Sequence, residues 1–127
     1  MRVKMTKEMK LKEIQEKIKE FNDIRGWSNP IQIKDLLLNL TEEIGEFWNK
    51  IKWVDVDTQM KTISKNKKEV ENDMADMLYL VLKISYICKV DLDKAIKDVM
   101  LEYEKRFPID KMKNNHGNVL AGGVDLK

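Results

Sequence analysis

The sequence predicts an all-α domain, and three observations carry that expectation. Apolar residues recur at helical spacing in four long segments, no stretch alternates as a strand does, and the breakers Gly26 to Pro30 and Pro108 fall between segments. The first segment runs from about Thr6 to Arg25, with Met9, Leu11, Ile14, Ile18, Phe21 and Ile24 in phase, and Gly26 ends it. The second covers about 33–52, with a stripe from Leu36 to Ile51 that includes Trp48, expected in the core. Asp55, Asp57 and Thr58 then mark a loop, and the run Lys65-Asn66-Lys67-Lys68 is expected to be solvated.

The third segment, about 67–88, is apolar on nearly every side from Met74 to Cys88. Such a helix belongs at the centre of a bundle or is shared with a second subunit, with Cys88 as a small buried hydrophobe. Asp91 suits the N-cap of a fourth helix, about 92–106, which Pro108 stops. The Gly- and Asn-rich stretch 112–127 is expected to be a flexible tail, with no metal role for the single histidine, His116.

A chain of 127 residues fits one domain over its whole length, and 43% hydrophobic with 36% charged residues fits a globular one. The formal charge of +2, from 24 basic and 22 acidic residues, gives no field that would select nucleic acid. No run is long and apolar enough to span a bilayer, and the first residues lack the apolar core of a signal peptide. With one cysteine, no internal disulfide can form, so a reducing, cytoplasmic location is expected. One Cys and one His do not make a structural zinc site, and a Ser-His-Asp or Cys-His hydrolase is equally unsupported. Carboxylates and lysines are the chemistry that remains.

Two acid pairs, Glu43/Glu46 and Asp73/Asp76, stand at i, i+3 in the second and third helices. Such residues are neighbours on a helix surface, roughly 5–6 Å apart at Cβ. Acids at this spacing are common; Glu13/Glu16 is one more pair and reads as plain surface. Placement separates them. At about 100° per residue, Asp73 projects between Leu80 and Ile84, and Asp76 lies close to Ile87 and Leu80. Glu43 borders the apolar stripe beside Leu36, with Glu46 further towards the polar side. A carboxylate in line with buried residues costs several kcal/mol, on the order of the burial penalty for unpaired charge, unless a cation meets it. Packing the two apolar faces together would bring the four acids to one place. Either lysines pair with them, Lys50 and Lys83 being candidates, or a hard divalent metal does; all-oxygen donors suit Mg²⁺ or Mn²⁺, which also take phosphate oxygens. A di-iron centre needs Glu-x-x-His pairs, and neither acid pair has a histidine.

On these residues the chain resembles the MazG-like, all-α nucleoside triphosphate pyrophosphohydrolases, and is most similar to the small dCTP-pyrophosphatase-type members. The resemblance covers about Leu11 to Lys113. It rests on Phe21-Asn-Asp-Ile-Arg-Gly-Trp27, Leu40-Thr-Glu-Glu-Ile-Gly-Glu46 running on to Trp53, Asn72-Asp-Met-Ala-Asp-Met-Leu-Tyr79, and Cys88-Lys-Val-Asp-Leu-Asp93 with Arg106-Phe-Pro108. It implies a four-helix domain completed by homo-oligomerisation, as a homodimer or homotetramer. It implies Mg²⁺ or Mn²⁺ held by Glu43, Glu46, Asp73 and Asp76, and a (deoxy)nucleoside triphosphate cleaved to the monophosphate and pyrophosphate in nucleotide-pool cleansing. Glu46 or Asp76 would orient the attacking water. Trp27 and Trp53 would stack on the base, and Lys50, Lys83 and Arg106 would contact phosphate. Glu42 is a candidate for orienting a ligand, or an ordinary solvated acid. Asp73 stands where the family has Glu, and Tyr103 where it often has Asn. Those departures, with the all-round apolar third helix, also fit a different class: a non-catalytic helical module that binds a nucleotide or a protein partner.

Overall fold

The computed structural model describes residues 2–112. Among them the chain is helical throughout, with α1 Leu11–Ile24, α2 Ile33–Ile51, α3 Gln59–Lys65, α4 Lys67–Ile87, α5 Leu92–Arg106 and α6 Ile109–Met112. Single 3₁₀ turns at Pro30–Gln32 and Val56–Thr58 lead into α2 and α3. No described helix is long and apolar enough to cross a membrane. Two compact units divide the chain, one up to Asp91 and one from Leu92.

In the first unit α4 is the central element, packed against both α1 and α2, with α3 bridging α2 and α4. Few apolar side chains are buried: Leu36, Val70, Leu80 and Leu82. The interior of α4 carries polar groups as well, because Asp73, Lys83 and Ser85 are all buried. Gln15 of α1 donates to Ser85 Oγ and to the Val90 carbonyl, both at 2.8 Å, so the α1–α4 seam is closed by hydrogen bonds as well as by apolar contact.

Both α1 and α4 end in the same way. Past the last helical residue comes one residue at positive φ, Gly26 (69°) after α1 and Lys89 (59°) after α4. The next amide reaches back five residues, from Trp27 N–H to the Asn22 carbonyl at 2.9 Å and from Val90 N–H to the Ser85 carbonyl at 2.8 Å. This is the Schellman closure, which normally takes glycine at the left-handed position. Gly26 meets that demand at no steric cost. Lys89 does not, and its Cβ costs about 1–2 kcal/mol there. Lys89→Gly is therefore expected to raise the unfolding free energy by roughly 1 kcal/mol, read by urea denaturation.

Several expectations need correction. The first helix starts at Leu11, not Thr6. Lys10 is extended, with φ −70° and ψ 156°, and acts as the N-cap, its carbonyl taking the Ile14 amide at 3.0 Å. The expected loop after Asp55 contains α3, and a short helix not expected from sequence, α6, follows Pro108. Trp48 is 58% exposed rather than core, and Cys88 is exposed rather than buried. Cys88 caps the C-terminal end of α4 instead of lying within it, and Trp48 lies on an uncovered part of α2. Residues 113–127, with His116, lie outside the described residues.

In the second unit α5 is an amphipathic helix whose polar face is laced by Lys94–Asp98 and Lys97–Asp93 pairs at 2.7 and 2.8 Å. Its apolar side leaves Ile96, Met100 and Leu101 about half exposed or more.

Candidate functional site

The α2–α4 packing is what the acid pairs required, and it sorts the four carboxylates by environment. Asp73 is 6% exposed, Glu43 is half-buried, and Glu46 and Asp76 are exposed. Asp76 thus departs from its expected place among apolar neighbours. It shares its side of α4 with Asp73, Leu80 and Lys83, all buried, so that side is open to solvent at Asp76 itself, next to Glu43. Glu42 is exposed, as an ordinary solvated acid would be.

Two of the carboxylates show what the site lacks. Asp73 Oδ2 receives a hydrogen bond from Lys50 Nζ at 2.5 Å, an ion pair between a buried acid and a lysine side chain only 23% exposed. The ammonium also leans on the Glu46 carbonyl of its own helix at 3.4 Å. The bond to Asp73 raises the Lys50 pKa, helped by the charges of Asp73, Glu69 and Glu46. Glu43 has no such partner. Its Oε2 is buried without any hydrogen bond. Burial first, then the charges of Glu46 and Asp76, a hydrogen bond with Glu46 and the charge of Asp73 push its carboxyl above the ordinary range. Among the described residues, no three His, Cys, Asp or Glu side chains close into a set that would hold an ion. The donors nevertheless fit a hard cation: they are all oxygen, three of them are without a lysine, and one buried oxygen is unsatisfied.

Lys83 is in a different position from Lys50. It is 7% exposed, makes no ion pair among the described residues, and burial lowers its pKa. Its Nζ stands 6.0 Å from the centre of the Trp27 ring. Seven residues after Asp76, it is about two helical turns further along the same face of α4. Trp27 is 48% exposed and packs edge-on to Phe21 at 6.2 Å. Trp53, just past α2, is 87% exposed. Arg106 belongs to the second unit, where it reaches Glu102 at 3.3 Å and lies over the Tyr103 and Phe107 rings.

One positioning residue was not singled out from sequence. Asn22 is fully buried; it donates to the Ile18 carbonyl at 2.8 Å and accepts from the Tyr79 hydroxyl at 3.1 Å, while its own carbonyl takes the Trp27 amide. It pins the Trp27 loop to α4. The signal was present: Asn22 is four residues after Ile18 and eight after Ile14, a polar residue on an apolar stripe. The same test had found Asp73. Beside it, Ser28 Oγ and the Tyr86 hydroxyl are 2.8 Å apart and tie the far side of the loop.

An α2–α4 pair of acid motifs is a pattern that can be compared directly with known proteins. No curated protein and no solved structure matches the chain. A family model described as the MazG nucleotide pyrophosphohydrolase domain matches residues 32–119, more than two-thirds of the 127 residues and including both acid pairs. Members of that family are hydrolases of phosphoric anhydride bonds and in general depend on a divalent metal. An all-helical chain with this match over most of its length belongs to the MazG nucleotide pyrophosphohydrolase family.

Proposed function

We propose that the protein hydrolyses a (deoxy)nucleoside triphosphate to the monophosphate and pyrophosphate, with Mg²⁺ or Mn²⁺, as a cytoplasmic nucleotide-pool cleansing enzyme. The observation that carries this reading is Glu43: a buried carboxylate oxygen with no partner, surrounded by further acids, inside the family match. Glu43, Glu46, Asp73 and Asp76 are the residues that would hold the cation. Bound there, a divalent ion neutralises charge on the pyrophosphate leaving group and makes water a better nucleophile. The exposed carboxylates of Glu46 and Asp76 are free to take the proton of a water attacking the α-phosphorus. The buried Lys83 ammonium supplies positive charge at the Trp27 end of the same α4 face. A single domain over 1–127 is part of this reading, because the family match crosses the junction at Asp91.

Trp27 offers a half-exposed ring for the base, with Trp53 as the second wall of a clamp. Stacking is worth roughly 1–3 kcal/mol per base, so Trp27→Ala is expected to raise KM by about 5- to 150-fold with a smaller change in kcat. Steady-state kinetics check this, and an unchanged KM removes Trp27 from the substrate site.

The assembly is a homodimer or homotetramer. Four buried apolar side chains are a small core for α1 to α4, while Leu38 (60%), Trp48 (58%), Met74 (57%) and Leu78 (50%) are exposed on α2 and α4. A second copy is the economical cover for such a face. Light scattering at micromolar concentration is expected to give twice or four times the chain mass; a monomer refutes the assembly.

The activity itself is tested with a panel of ribo- and deoxyribonucleoside triphosphates, with Mg²⁺ and with Mn²⁺, measuring pyrophosphate and monophosphate release. Release from at least one nucleotide is expected. Inorganic phosphate without pyrophosphate, or no product from any nucleotide, overturns the proposal.

A further inference from the structure

Glu43, Glu46 and Lys50 fall at i, i+3 and i+7, one stripe of α2 that faces α4. Across from the stripe stand Asp73 and Asp76. The stripe thus presents two carboxylates and one ammonium to two further carboxylates, and the pairing within that set is unequal. Asp73 is the most buried of the acids and its Oδ2 is taken by Lys50. Lys50 is held on the other side by the Glu46 carbonyl, which fixes the ammonium between the two helices. Among the described residues no ion pair reaches the remaining three acids, and the orphaned oxygen is on Glu43, not on Asp73.

We infer that Lys50 is a built-in cation of this site: its ammonium keeps Asp73 as its own partner and so holds that carboxylate out of the divalent ion's ligand set, leaving Glu43, Glu46 and Asp76 to bind the metal. The inference rests on the metal-binding reading above and changes what two residues do within it. Lys50 becomes a positioning residue rather than a phosphate contact, and Asp73 becomes its anchor rather than a ligand. An ammonium and a divalent ion repel each other across such a short span, so both can be present only if each has carboxylates of its own. The distribution of partners supplies that division: one acid for the lysine, three for the metal. Asp73 is also the shortest route for charge into the buried seam, and a lysine tethered by its own helix neutralises it whether or not metal is bound.

The test is Mn²⁺ binding to the full chain, followed by calorimetry and by water-proton relaxation, which counts the waters on the bound ion. Wild type, K50M, the neutral pair K50M/D73N and E43Q are compared, with circular dichroism as the check on folding. K50M frees Asp73 to displace a water. It is expected to bind Mn²⁺ about tenfold more tightly, with one metal-bound water fewer. K50M/D73N is expected to return to the affinity and water count of wild type. Tighter binding by K50M with an unchanged water count is an effect of charge alone and overturns the inference. Should K50M fail to fold, K50M/D73N decides: loss of Mn²⁺ binding in it makes Asp73 a ligand and overturns the inference. Wild type that binds no Mn²⁺, or E43Q that binds as wild type does, overturns the metal reading itself together with this consequence of it.

Discussion

Glu43→Gln is expected to lower kcat by about a thousandfold while the helical fold survives. The electrostatic contribution of a metal to phosphoryl chemistry is several kcal/mol, and each ~1.4 kcal/mol is tenfold in rate. Glutamine has the volume of glutamate but cannot carry the charge that Glu46 and Asp76 help concentrate at this point. Asp76→Asn is expected to fall as far, because it removes an exposed acid from the same three-carboxylate set. Activity within a few-fold of wild type in both variants would remove their roles.

The same substitution has an opposite effect on the metal-free protein, and the sign follows from linkage. The Glu43 carboxyl titrates above its ordinary range in the folded state, chiefly through burial and then through neighbouring acids. The folded protein therefore holds that proton more tightly than the unfolded chain. Its contribution to stability is complete at acid pH and is lost as pH rises through the ordinary carboxylate range to the higher folded value. In EDTA, wild type is expected to lose stability over that interval and Glu43→Gln to lose less. Added Mg²⁺ is expected to raise the melting temperature of wild type near neutral pH and to leave Glu43→Gln unmoved. Parallel pH profiles for the two proteins in EDTA would contradict the burial of an unpaired charge at Glu43.

Leu82→Ala carries the largest expected effect on folding. Leu82 is 1% exposed in the central helix, and only Leu36, Val70 and Leu80 share its status as buried apolar side chains in the first unit. Leucine to alanine at such a site costs about 2–5 kcal/mol from lost burial and the cavity left behind. Total stability of a small domain is roughly 5–15 kcal/mol, so this one change can consume a large fraction of it. Chemical denaturation is expected to show the midpoint falling sharply. Leu78, one turn earlier on α4, is the contrast, since it is half exposed in the single chain. Leu78→Ser is expected to be nearly neutral when the chain is dilute and to weaken self-association at higher concentration. If Leu78→Ser neither changes the assembly nor its concentration dependence, that face of α4 is not where copies meet.

Much of the fold was legible because helical periodicity is a local property. The spans of α2, α4 and α5 follow from apolar spacing and from the breakers at Gly26–Pro30 and Pro108. What escaped was whatever depended on distant partners. The seven residues of α3 carry too short a pattern to separate from a loop, and the residues before Leu11 carry too few apolar positions to show that α1 begins there and not at Thr6. The exposure of Trp48 and Cys88 was also unreadable, since a helical stripe says that a face is apolar and not that anything in the chain covers it.

For the site, the sequence alone determined where the acids lie along the chain: two i, i+3 pairs on helices with apolar faces, one of them with Asp73 in the buried arc. Spacing along a helix fixes that, because residues three or four apart share a face whatever the rest of the chain does. Only the tertiary structure decided how the charges divide. Packing α2 on α4 gave Asp73 to Lys50, left Glu43 with a buried oxygen and no donor, and put the unpaired Lys83 under Trp27. Coulomb energy and hydrogen bonding depend on distances across helices, and no periodicity within one helix contains them.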